Sequence, residues 1–216
     1  MQQQVTGERV VLCNCADPAR EDEFNAWYDA YAVDILWPRL LVNVRRYRLI
    51  EATADADSPR YMALYDIASD DLPQAWPLTR DHPTRPRRER SALLDTRLAA
   101  TFQRMAHRGT IGSDRADVIA LFVDPSRAGD AERELDLLVE ELLDTGACHG
   151  AWRLVNVEED RSQPQLMQVL ELADAGREPA GTGTRTTLAL MQARLSQSHC
   201  TIRYLAAYRP IFSSGY

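Results

Sequence analysis

The sequence predicts an α+β fold: two tandem ferredoxin-like β-α-β-β-α-β units packed sheet to sheet as an α+β barrel. Three observations carry that prediction. The second half of the 216-residue chain parallels the first. Strand-like and helix-like runs alternate in the same order in both halves. Each predicted sheet is left with one apolar face that its own helices do not cover.

The parallel is visible when the halves are aligned. RVVLCNCADPAR from Arg9 matches DVIALFVDPSR from Asp117, each an apolar run closed by Asp-Pro, at Asp17-Pro18 and Asp124-Pro125. An acidic helix follows in both. VRRYRLIE around Tyr47 matches GAWRLVNVEE around Trp152, and RYMALYDIASDD from Arg60 matches QLMQVLELADAG from Gln165. The interval from Tyr47 to Tyr61 equals that from Trp152 to Leu166. Features recurring in one order at one spacing indicate a duplication.

In chain order, the first half predicts a strand over 9–15, a helix over 20–37, strands over 43–52 and 60–67, a helix over 86–99 and a strand over 100–107. The second half predicts strands over 117–123, 150–158, 165–172 and 200–209, with helices over 128–144 and 184–196. Strands rest on β-branched and aromatic enrichment with partial alternation. Helices rest on spaced apolar residues such as Leu135, Leu138, Val139 and Leu142. A β-α-β-β-α-β unit places both helices on one face of an antiparallel sheet, so packing the two sheets together hides the exposed faces. Residues 1–108 form the first unit, 109–116 (within RGTIGSDRAD) the linker, and 117–216 the second, mainly structural, unit.

Composition removes several functions. The net charge is −7 and every basic side chain other than histidine is arginine. Without lysine there is no Schiff base and no P-loop lysine. An acidic chain is a poor nucleic-acid binder, and the one basic run, RDHPTRPRRER at 80–90, could touch phosphate or a carboxylate substrate, although its prolines favour an exposed loop entering a helix. No apolar stretch is long enough to span a bilayer, and MQQQVTGERVVLCNC lacks the layout of a signal peptide, so a soluble, cytoplasmic protein is expected. Cys13, Cys15, Cys148 and Cys200 lack zinc-knuckle or redox spacing; they read as small core residues, and no metal is expected. AGTGTRTT at 180–187 follows a polar loop rather than a strand, so it is no nucleotide fingerprint. No cofactor is expected.

One segment stands out. EFNAWYDAYAVDILWP, from Glu23 to Pro38, packs two tryptophans, two tyrosines and two aspartates into one helix of an aromatic-poor chain. Phe24, Tyr28, Tyr31 and Ile35 follow the spacing of a single helical face. Such rings either fill a helix-sheet core or line a pocket. Asp29 and Asp34, pressed against aromatic surface, are candidate proton-transfer groups, although aspartates on amphipathic helices commonly face water. Arg46 and Arg48 share one face of their strand and suit a carboxylate, enolate or phenolate; the bland alternative is rim ion pairing. His82, His107, His149 and His199 are scattered, with His82 placed where its loop could cover a cavity mouth.

FNAWYD, an acidic-apolar helix, RRYRL and YMALYDI together resemble the EthD-like branch of the dimeric α+β barrel superfamily. The resemblance covers the first half well and the second mainly through strand pattern. It implies a cavity between helices and sheet and chemistry on small molecules, ranging over polyketide cyclases, cofactor-free monooxygenases, lactone isomerases and, with haem, peroxidases and dehydratases. The chain departs from the family pattern where relatives carry histidine: that position holds Ala32.

The expected function is a cofactor-independent enzyme acting on a hydrophobic aromatic or polyketide-like small molecule by cyclisation, isomerisation, dehydration or decarboxylation, in bacterial secondary metabolism or aromatic catabolism. The alternatives are a cofactor-free monooxygenase, a non-catalytic binding or accessory protein, and a haem enzyme. The catalytic candidates are Asp29, Asp34, His82 and Tyr31; the substrate-binding candidates are Phe24, Trp27, Tyr28, Arg46, Arg48 and Trp76. No nucleic-acid or membrane partner is expected, and a homodimer is left open.

Overall fold

A computed structural model describes residues 4–37, 39–53, 57–110, 115–125, 128–158, 160, 162–173, 182–198 and 200–215. Residues 111–114 of the predicted linker and His199 lie outside the described residues. Strand β1 (Gly7–Cys15) leads through a 3-10 turn (Pro18–Arg20) into helix α1 (Glu21–Leu36); β2 (Leu41–Ala52), β3 (Tyr61–Ile67), α2 (Leu72–Asp81) and β4 (Leu94–Gly109) complete the first half. The second half runs β5 (Val118–Pro125), α3 (Ala128–Asp144), β6 (Cys148–Asn156), β7 (Leu166–Leu172), α4 (Thr182–Leu195) and β8 (Cys200–Gly215). Among the described residues no helix is long and apolar enough to cross a membrane.

The local chemistry accounts for the helix starts. Asp17 accepts a hydrogen bond from the Ala19 amide at 3.0 Å, and Glu21, Asp22 and Glu23 place negative charge in the first turn of α1, where it complements the helix dipole. Asp71 caps α2 by accepting from the Gln74 amide at 3.3 Å, with Pro73 in the first turn, where its missing N–H costs nothing.

The two halves do not stack as separate sheets. Their strands join edge to edge into one closed antiparallel barrel, in the order β1-β3-β2-β8-β5-β7-β6-β4 and back to β1. The seams are β2 with β8 and β4 with β6. Closure removes the exposed edges that two stacked sheets would leave, and the uncovered faces predicted from sequence become the barrel interior. An eight-stranded barrel is just wide enough for side chains to fill. Here Val10, Leu12, Leu64, Phe102, Phe122 and Trp152 are among those filling it. The outward faces carry the helices: α1 and α2 cover the first-half strands, α3 and α4 the second.

One predicted helix is corrected. Residues 86–99 are not helical; α2 occupies Leu72–Asp81, and β4 begins at Leu94 and runs to Gly109. Strand β4 pairs with β1 along one edge and β6 along the other, so ladder formation overrides the helix-like apolar spacing of SALLDTRLAA. The remaining strands and helices fall within a few residues of prediction, with β8 extending further, to Gly215.

One end of the lumen is polar. Glu8, Arg45, Asp66 and Arg104 meet there: Arg45 donates to Asp66 at 2.8 Å, and Arg104 donates to Glu8. The Arg45 guanidinium lies 5.6 Å from the Trp152 ring centroid. Burial pushes the Glu8 carboxyl above its ordinary pKa, against the pull of Arg104.

Candidate functional site

Helix α1 sorts its unusual residues onto two faces. Phe24, Tyr28, Ala32, Ile35 and Leu36 are buried against the sheet. Ala32 is thus wholly enclosed in the helix-sheet core. Tyr31, expected on this face, is only half-buried.

Beneath the buried face lies Arg46, projecting from β2. Its guanidinium donates to the Asp29 carboxylate and, at 2.9 Å, to Asn25 Oδ1, and it sits 4.1 Å from the Tyr28 ring centroid. Asn25 also donates to the Tyr61 hydroxyl at 3.0 Å, and Tyr61 donates to Glu21. Arg46 is therefore committed to holding α1 on the sheet. Desolvation raises the Tyr28 hydroxyl well above the ordinary tyrosine pKa and lifts Tyr65 beside it too, so both remain protonated at neutral pH. Arg48, two residues along β2, is exposed; the structure does not bring it to this cluster.

The other face of α1 meets residues 82–92. Trp27 Nε1 donates to Glu89 O at 3.0 Å, Arg88 donates to Asp34 at 2.8 Å, and Trp37 Nε1 donates to Thr84 Oγ1 at 3.2 Å. His82 caps the end of α2 with Nδ1 3.1 Å from the same Thr84 hydroxyl. Between these anchors Trp27 and Tyr31 stack, centroids 5.1 Å apart and ring planes 17° from parallel. Trp76 on α2 is half-buried, with the Arg9 guanidinium 5.0 Å from its centroid. Arg9 is itself buried, donating to Thr101 Oγ1 at 3.1 Å, to Ala99 O at 2.9 Å and to Glu158 of the second half. Burial raises the Tyr31 hydroxyl above its ordinary pKa, opposed by the nearby charges of Arg85, Arg90 and Arg9.

The arrangement offers flat aromatic surface at Trp27, Tyr31 and Trp76, one neutral phenol and a concentration of positive charge. It suits a planar, electron-rich molecule that acquires negative charge. Of the residues singled out from sequence, Trp27, Tyr31 and Asp34 come together here, with Trp76 reached through Arg9; Phe24, Tyr28, Asp29 and Arg46 form the network behind; His82 stands at the start of residues 82–92, and Arg48 stands apart. Sequence reading missed Arg9 and Tyr65, and it noted Arg85 and Arg90 only as members of the basic run at 80–90. The alternation of Arg9, Val11 and Cys13 along β1 does place Arg9 on the helix side.

The second half repeats one part of this. Arg153 on β6 donates to Asp136 on α3 at 2.9 Å and to Gln168 at 3.2 Å, and the aspartate and arginine are 17 residues apart in both halves. The helix-sheet layer there is otherwise aliphatic, mainly Leu, Ile, Val, Met and Ala with two cysteines, and has no aromatic ring among the described residues. Among the described residues no group of three or more His, Cys, Asp or Glu side chains is arranged to hold a metal ion.

No protein-family model matches this chain, and no curated protein does. Solved structures do resemble it. A structure described as an anthrone oxidase-like protein has a TM-score of 0.58 at 13% identity, covering 100% of this chain and 95% of that one. A haem-binding protein from Thermus thermophilus gives 0.54 at 8% identity over 97% and 92%. A chlorite dismutase variant from Candidatus Nitrospira defluvii gives 0.53 at 12% identity over 95% and 91%. The shared feature is architecture: this chain has the α+β barrel fold with ferredoxin-like halves.

Proposed function

We propose that this protein is an enzyme of the EthD-like kind, acting on a hydrophobic aromatic or polyketide-like molecule without a cofactor of its own. The Trp27–Tyr31 stack, in the same helix-sheet layer as Trp76 and the buried Arg9, carries this reading, because it offers ring surface and charge where a delocalised substrate anion would form. The first half holds the pocket and the second is mainly structural. The halves are tandem copies, a reading supported by the matching Asp29–Arg46 and Asp136–Arg153 pairs.

Tyr31, whose burial keeps the phenol protonated, is the group we assign to donating a proton or hydrogen bond to the substrate oxygen. Asp29 is held by Arg46 and Asp34 by Arg88, whereas among the described residues the Tyr31 hydroxyl has no hydrogen-bond partner. Loss of a benzylic proton to solvent gives an enolate-like anion whose oxygen accepts a hydrogen bond from the protonated Tyr31 hydroxyl, and the anion then cyclises, isomerises, dehydrates or loses a carboxyl group. The anthrone oxidase-like neighbour favours a second course, in which the anion reduces dioxygen: a CH2 and O2 become C=O and H2O, the carbon losing four electrons and oxygen gaining them.

A haem reading is supported less well. Among the described histidines His82 faces Thr84 and His107 is exposed, which leaves only His149, whose Nε2 lies 3.2 Å from Glu171.

Anthrone in aerated buffer tests the proposal. We expect anthraquinone to form with stoichiometric oxygen consumption, faster than the uncatalysed background. Binding without turnover on anthrone and on cyclisable polyketide mimics leaves the chain a binding protein and overturns the enzyme reading.

A further inference from the structure

The arginine-rich stretch that reads as a loop lies across α1 as a strap. Its anchors on the helix, Trp27, Asp34 and Trp37, lie seven and three residues apart, and each is tied by one hydrogen bond to the strap. Tyr31 lies under it. Two strap arginines differ from most of their neighbours in what they touch. Arg85 donates to the carbonyls of Arg80 and Pro86 at 3.3 and 3.2 Å, and Arg90 donates to Thr96 Oγ1 at 3.3 Å. Each of these acceptors is neutral. By contrast Arg80, Arg88 and Arg97 each pair with a carboxylate. Behind them Arg9 is buried against Trp76 with its Nε atom lacking a partner among the described residues.

The geometry points to an anion-binding subsite under this strap, in which Arg85 and Arg90, with Arg9 behind them, receive the negative oxygen of an aromatic acid or phenolate whose ring lies against Trp27 and Trp76. The subsite rests on the proposed aromatic pocket and specifies which substrates it takes: those carrying an ionised oxygen on the ring system. Burial around Tyr31 strengthens any such contact, because charge interactions grow as water is excluded, and planar guanidiniums match carboxylate oxygens in pairs. Trp27 adds the ring platform, while the Tyr31 hydroxyl donates to the same oxygen.

The test compares 2-naphthoate with its neutral isostere 2-naphthamide by calorimetry at about 0.15 M salt, where surface charge effects are largely screened. We expect naphthoate to bind about ten-fold or more tightly than naphthamide, as a charge-assisted contact implies. Arg85→Gln/Arg90→Gln should shrink that preference to about two-fold or less, Arg87→Gln should leave it intact, and Trp27→Leu should weaken both ligands. If the double variant melts early, Arg90→Gln alone is used and should reduce the preference at least partly. Equal binding of both ligands overturns the anion subsite and leaves the aromatic pocket standing. A preference that survives the arginine substitutions, or binding untouched by Trp27→Leu, places the anion elsewhere and also overturns it. Failure of both ligands to bind removes the pocket and the subsite together.

Discussion

Asp29 and Asp136 do the same work in two settings, one among rings and one among leucines. Each reaches from its helix to a buried arginine on the sheet. Asp29→Asn and Asp136→Asn should therefore cost similar amounts, about 1–3 kcal/mol each in urea unfolding, as expected for weakening a charged hydrogen bond. A loss of turnover in Asp29→Asn with unchanged stability would instead make Asp29 a catalytic group. Tyr31→Phe keeps the stack on Trp27 and removes only the hydroxyl. It should lower turnover by about 100-fold or more, the usual scale of positioned proton transfer, with little change in Tm. Full activity in that variant would remove Tyr31 from the mechanism. At this scale the sequence was partly legible. Strand alternation places Arg46 on the helix side of β2, and helical spacing buries Phe24 and Tyr28. Arg9 escaped notice because its partner ring, Trp76, belongs to a helix predicted in another place.

That helix shows where local signals compete. DDLPQAWPLTR contains an aspartate cap and a proline in the first turn, both start signals, but Pro77 inside the segment argues against a helix. SALLDTRLAA has helical spacing, yet its residues belong to a strand whose two edges are both claimed by neighbours. Pairing over such a length is invisible to a local window. Asp71→Ala tests the cap and should destabilise the protein by about 1 kcal/mol, read as a lower urea midpoint with an unchanged slope. An unaffected midpoint would mean that Asp71 contributes nothing to holding α2. At the far end of β4, Gly109 has φ 66° and an added Cβ would lie 2.2 Å from His149 O. Gly109→Ala forces the β4–β6 seam apart, and a clear drop in Tm is expected where a mere surface turn would show none.

In the whole molecule, closure makes each half depend on the other at both seams. Residues 1–110 expressed alone would expose the free edges of β2 and β4 and the apolar lumen face, so they should oligomerise or remain unfolded. A stable monomer that binds no apolar dye would contradict this. The lumen's charge cluster adds a second dependence. Arg45→Met strands Glu8 and Asp66 without one of their cations and should cost about 3–5 kcal/mol, the scale for breaking a buried pair. The buried tyrosines set the alkaline limit. Desolvation raises Tyr28, Tyr65 and Tyr208, and pushes Tyr47 up to about 12. Each keeps its proton in the fold at pH values where the unfolded chain, with tyrosines near pKa ~10, releases it. Their contribution to stability is thus complete below about pH 10 and falls as pH rises toward the folded values. Phenolate absorbance and loss of ellipticity should appear together; ionisation of these rings in a folded chain would show that they are not buried.

Two identical chains closing the same barrel would carry every substitution twice, and whatever loosened one helix would loosen its mate. Closure within one chain lifts that constraint. A change on α1 occurs once per barrel, so α1 can carry the rings of the proposed pocket while α3 keeps a plain apolar face that secures the scaffold. The assembly is a symmetric frame with an asymmetric content, and an aromatic guest should saturate at a single molecule per chain.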